Sequence, residues 1–83
     1  METYIATFFT HFGAVKFARD LRSQGKNATL MPVPRDLSSS CGTCVRFEGP
    51  QEPIQWVPHA PELDRIFICG QKERTVIYEN TGE

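Results

Sequence analysis

The chain has 83 residues, nine Lys and Arg against ten Asp and Glu, a net charge of −1, and 40% hydrophobic residues including six Phe. That length suits one small α/β domain with a thin core and excludes a deep enclosed pocket unless copies associate. Near-neutral charge removes the whole-domain electrostatic case for nucleic acid or an anionic membrane surface, and no apolar run reaches the length needed to span a bilayer.

From Thr3 to Phe9 the run Thr-Tyr-Ile-Ala-Thr-Phe-Phe predicts a first strand, being β-branched and aromatic with side chains alternating between two faces. Thr10 then caps a helix in which His11, Ala14, Val15, Ala18 and Leu21 follow helical spacing, and Gly25 and Asn27 stop it. Ala28 to Val33 predicts a second strand, paired parallel with the first through the helical crossover. Pro32 and Pro34 end it and stiffen the chain that presents Arg35. A loop from Asp36 to Ser40 leads to a third strand over Cys44 to Phe47.

Glu48 to Pro61 holds four prolines and reads as an irregular crossing that Trp56 pins to the core. Pro61 opens a second helix with Leu63, Ile66 and Phe67 as its apolar stripe and Gly70 as its stop. Arg74 to Glu79 closes the chain with a fourth strand. The order β-α-β-β-α-β predicts an α+β, ferredoxin-like domain over residues 1–83, a four-stranded antiparallel sheet with two helices on one face.

Cys41, Cys44 and Cys69 are an odd number, and the start Met-Glu-Thr-Tyr lacks the basic and apolar segments of a secretory signal. A soluble cytoplasmic protein with reduced thiols is therefore expected rather than a disulfide framework. Thiol reactivity needs the thiolate, hence exposure plus nearby cations or converging N–H groups. Arg35 and Arg46 are candidate cations for Cys41. Ser38, Ser39, Ser40 and Gly42 offer hydroxyl and backbone donors, and Gly42 leaves room for another molecule to approach the sulfur.

The stretch Pro34-Arg35, Leu37, Ser38-Ser39-Ser40-Cys41-Gly42 resembles the signature of the selenium/sulfur carrier protein-like family, and the likeness extends loosely over most of the chain. The resemblance implies a thiol, Cys41, that holds sulfur or selenium as a persulfide or selenosulfide and passes it between donor and acceptor proteins, with no bound cofactor. The chain departs from that pattern at Cys44 and in its proline-rich crossing. Cys44 opens the alternative of a dithiol oxidoreductase, in which it attacks a persulfide on Cys41 and closes a disulfide. A further alternative is a non-catalytic interaction or zinc-binding module using Cys41, Cys44, Cys69 and His59. Cys44 and Cys69 also read as packing residues, His11 carries no assigned role, and an open sheet edge makes a homodimer an expectation.

Overall fold

The computed structural model describes residues 2–35, 37, 41–49 and 62–80. In chain order these form β1 (Glu2–Phe8), α1 (His11–Ser23), β2 (Ala28–Pro32), β3 (Thr43–Gly49), β4 (Leu63–Cys69) and β5 (Arg74–Glu79). The sheet order is β2-β3-β1-β4-β5 with every neighbouring pair antiparallel. Five antiparallel strands and, among the described residues, one helix replace the four-stranded, two-helix ferredoxin-like arrangement expected from sequence. Nor do β1 and β2 pair: they run in the same direction, but β3 lies between them.

The expected second helix is β4, and a β-bulge explains why its sequence looks helical. Phe8 pairs with Leu63 and Thr7 with Arg65, so Asp64 is an extra residue in β4. The extra residue lets Leu63 and Ile66, three positions apart, share one face, a spacing that otherwise belongs to a helix. The buried Thr7 hydroxyl lies 3.4 Å from Asp64 Oδ2 and 3.5 Å from the Arg65 carbonyl, so the bulge supplies its hydrogen-bond acceptors. β-branched Ile66 and Ile68 around Phe67 then favour the extended chain.

Helix α1 begins and ends as its local sequence dictates. Thr10 is the N-cap: its Oγ1 accepts from Gly13 N at 3.0 Å and donates to Glu62 Oε2 at 2.8 Å. At the other end Lys26 N donates to the Leu21 carbonyl and Gly25 N to that of Arg22, a Schellman closure that places Gly25 at φ +80°. Ala14, Phe17, Ala18 and Leu21 are buried, whereas His11 is exposed and Val15 only half-buried. The core stripe is therefore rotated about the helix from the expected one, bringing in Phe17.

Against this stripe the sheet presents Tyr4, Ala6, Phe8, Val45, Phe47, Leu63 and Ile66, all buried. Three ring contacts join them: Tyr4 stacks on Phe47 at 5.3 Å, Phe17 meets Phe47 edge-on at 5.5 Å, and Phe8 lies 5.2 Å from Phe17. On the opposite face Ile5, Thr7, Cys44 and Phe67 are buried too. Residues 50–61 lie outside the described residues, and with them Trp56, His59 and Pro61. No helix among the described residues is long and apolar enough to cross a membrane.

Gly13 shows how tightly the helix start is held. A Cβ there would stand 2.6 Å from Glu62 Oε2 and 2.8 Å from Glu62 Cβ. Inside an open helix Gly→Ala gains about 1 kcal/mol. Here Gly13→Ala is expected to lower the melting temperature, because Glu62 must leave Thr10; thermal unfolding of the variant checks this.

Candidate functional site

The candidate site is the connection between β2 and β3. Val33 N donates to the Gly42 carbonyl at 3.1 Å, extending the β2-β3 ladder one step past Pro32 and closing the loop that contains Arg35 and Cys41. Within it Leu37 N donates to the Pro34 carbonyl at 3.0 Å, and Arg35 stands exposed on that turn. Gly42 has φ +72° and open space where a Cβ would be, so glycine is needed there for backbone geometry. Asp36, Ser38, Ser39 and Ser40 lie outside the described residues.

Cys41 is half-buried, packs against the rim of the helix-side core, and its Sγ donates to the Thr43 carbonyl at 3.2 Å. The side chain of that same Thr43 meets α1: its Oγ1 is 3.2 Å from His11 Nδ1. The structure thus brings an imidazole from the first turn of the helix to the residue that holds the Cys41 sulfur. His11 and Thr43 were not legible as site residues, since 32 positions separate them and only the sheet register unites them.

Cys44 is different. It is fully buried, its Sγ sits 3.7 Å from the Pro32 carbonyl, and its cross-strand partners are Thr7 and Met31, on the face away from α1. Burial is the main cause that pushes its thiol above the ordinary 9.0; Cys41 pushes the same way, the Arg74 guanidinium opposes, and Cys69 adds to the rise. A buried, protonated thiol is a poor nucleophile.

Arg46 also belongs to that second face. It pairs with Ile5 and Thr29 and is exposed, whereas Cys41 packs on the helix side. With Thr3, Ile5, Met31, Cys69, Lys72 and Arg74 it lines an open cavity of 470 Å³. Cys69, read from sequence as packing, is half-buried on its wall. Among the described residues no three His, Cys, Asp or Glu side chains are placed to hold a metal ion. His59, the fourth ligand of the zinc alternative, lies outside them.

The raised Cys44 thiol has a pH signature. Below 9.0 the thiol is protonated in both folded and unfolded chains, so its contribution to stability is complete. Above 9.0 the unfolded chain sheds the proton first, and the contribution is lost as pH rises through the folded value. Tyr4, raised by burial and by Glu2 from its ordinary 10.0, adds a similar loss at higher pH. Cys44→Ala is therefore expected to show a flatter decline in melting temperature between neutral pH and about pH 10, as thermal melts will show.

A family model described as "Putative Se/S carrier protein-like" matches residues 3–55, well over half of the chain. The chain belongs to that family. The matched span includes the whole loop between β2 and β3 with Cys41, and β3 with Cys44. The chain is also similar to the Uncharacterized protein YtiA of Escherichia coli (strain K12), at 31% identity over 72 residues, covering 86% of this chain and 82% of that protein. No solved structure matches it.

Proposed function

We propose that this carrier-family domain holds sulfur or selenium on Cys41 and delivers it to a partner protein. The observation that carries the reading is the contrast between two thiols three positions apart: Cys41 is half-buried at the mouth of a loop, Cys44 fully buried in the sheet. In loading, the Cys41 thiolate attacks the outer sulfur of a donor persulfide. A new S–S bond forms on Cys41, the donor's S–S bond breaks, and the donor leaves as a thiolate. In delivery an acceptor thiolate attacks that outer sulfur and Cys41 departs as the thiolate, so no net oxidant is needed. A selenosulfide donor follows the same sequence with selenium as the outer atom.

Arg35 and the Ser38 to Ser40 run shape the anionic environment of the loaded atom in this reading. His11 contacts the side chain of Thr43, whose carbonyl accepts from the Cys41 thiol, and in this reading it is the proton-exchanging group of the loop. Arg46 serves the second face instead. Exposed Phe9 and Phe12 lie at the same end of the sheet and give a partner an apolar surface to meet. A dithiol cycle is disfavoured by the burial and raised thiol of Cys44.

The test is to treat the reduced protein with a low-molecular-weight persulfide, cap free thiols and map the mass increase by peptide mass spectrometry. The reading requires a one-sulfur adduct on the Cys41 peptide that a second thiol then removes. A Cys41–Cys44 disulfide without an adduct would favour the oxidoreductase, and an unreactive Cys41 would return it to a structural role.

A further inference from the structure

The face of the sheet away from α1 carries an open cavity of 470 Å³ that the chemistry of Cys41 leaves unused. Its size lies inside the range of about 300–1,000 Å³ typical of small-molecule sites. Two basic side chains line it from different elements. Arg46 stands on β3, and Lys72 on the turn between β4 and β5, which the bond from Gly70 N to the Glu73 carbonyl at 2.8 Å closes. Both are exposed, and among the described residues neither side chain has a hydrogen-bond or ion-pair partner.

The chain as a whole is slightly acidic, yet this wall sets Arg46, Lys72 and Arg74 against Glu73 as its one carboxylate among the described residues. Arg74 is already engaged within the chain, so Arg46 and Lys72 are the cations left for a ligand.

Their placement sets what that ligand looks like. β1 lies between β3 and β4, so Arg46 and the strand that leads into the Lys72 turn are two strand spacings, about 10 Å, apart. Apolar surface fills the interval: Ile5 on β1 pairs with Arg46, and Met31 continues the lining on β2. A ligand that meets both cations therefore carries two acidic groups with an apolar stretch between them. One group takes the planar fork of Arg46 and the other the ammonium of Lys72. We propose that this cavity binds a small organic dianion, two acidic groups on a short apolar spacer, held by Arg46 and Lys72. The site is independent of Cys41, which packs on the helix side.

The test is a titration of the backbone amide resonances of the full chain with two probes that share a three-carbon spacer, glutarate and 1,3-propanediol bisphosphate. Butyrate, with one acid group, and inorganic phosphate, with its charge at one point, serve as comparisons at equal ionic strength. The expected result is a saturable shift at Arg46 and at residues 69–74 with at least one two-ended probe, the tighter of the two naming the acid group. Arg46→Gln and Lys72→Gln should each weaken that binding roughly tenfold, the worth of one charge-assisted hydrogen bond. Lys16→Gln, the same loss of charge on the exposed side of α1, should leave it unchanged. Both cavity positions are exposed, and thermal melts confirm that the variants fold. The proposal is overturned by shifts that never saturate, by butyrate or phosphate binding as tightly as the two-ended probes, or by an affinity that neither cavity variant alters.

Discussion

Cys41→Ser is expected to abolish persulfide loading, whereas Cys44→Ser is expected to load at close to the wild-type level. The asymmetry follows from where the strand starts. Cys41 precedes β3 and is only half-buried, with its Sγ donating to the Thr43 carbonyl. Cys44 is inside β3, has no exposed surface, and carries a thiol that burial keeps protonated. Iodoacetamide capping of the native protein reads the same difference as a rate, with the Cys41 peptide modified more than an order of magnitude faster than that of Cys44. If Cys44→Ser fails to release sulfur to an acceptor although it loads, the second thiol takes part in turnover and the dithiol cycle gains the ground. Equal capping rates would show that the β3 strand does not protect Cys44.

The largest loss of stability is expected from Phe47→Ala. Phe47 is 1% exposed and is the only ring in contact with both Tyr4 and Phe17 among the described pairs, so it joins β1, β3 and α1. Truncating such a buried ring costs about 3–5 kcal/mol. Domains retain about 0.05–0.15 kcal/mol per residue, or roughly 4–12 kcal/mol for a chain of this length. The variant therefore stands near the limit of folding at room temperature, and urea denaturation followed by circular dichroism should show a strongly reduced midpoint. Phe17→Leu, which keeps most of the volume and loses the edge-on contact, should cost much less. Equal losses from the two would mean that ring geometry, rather than the amount of apolar surface buried, dominates this core.

The local signals in the sequence were reliable where a single residue type decides the backbone. Thr10 at the helix start and Gly25 at its end each do what their chemistry permits and neighbouring residue types do not. The strand from Arg74 to Glu79 was legible from its β-branched and aromatic content. The failure at β4 has a definite cause, because the extra residue Asp64 imposes on a strand the side-chain spacing of a helix, and spacing was the signal in use. Strand order was out of reach for another reason: pairing of β1 with β3 and β4 is decided by contacts distant in sequence, which local propensity does not record. Around Cys41, which the motif singles out, charge and closeness in sequence do not record which face of the sheet a side chain takes. Arg46 is near in sequence and on the wrong face, while His11 is remote and on the right side.

The central position of β1 also shapes how the chain is born. β1 is synthesised before the strands that flank it, so Thr7 waits for Cys44 and Tyr4 for Ile68. At roughly 5–20 residues per second, that leaves one side of an apolar, aromatic strand without its partner for about 3–13 s of translation. β2 and β3, by contrast, are hairpin neighbours and can close around the Cys41 loop without help from the C-terminal half. A nascent chain thus displays its thiol loop before the centre of its sheet is sealed, and the interval in which it is most prone to aggregate ends only when β4 emerges.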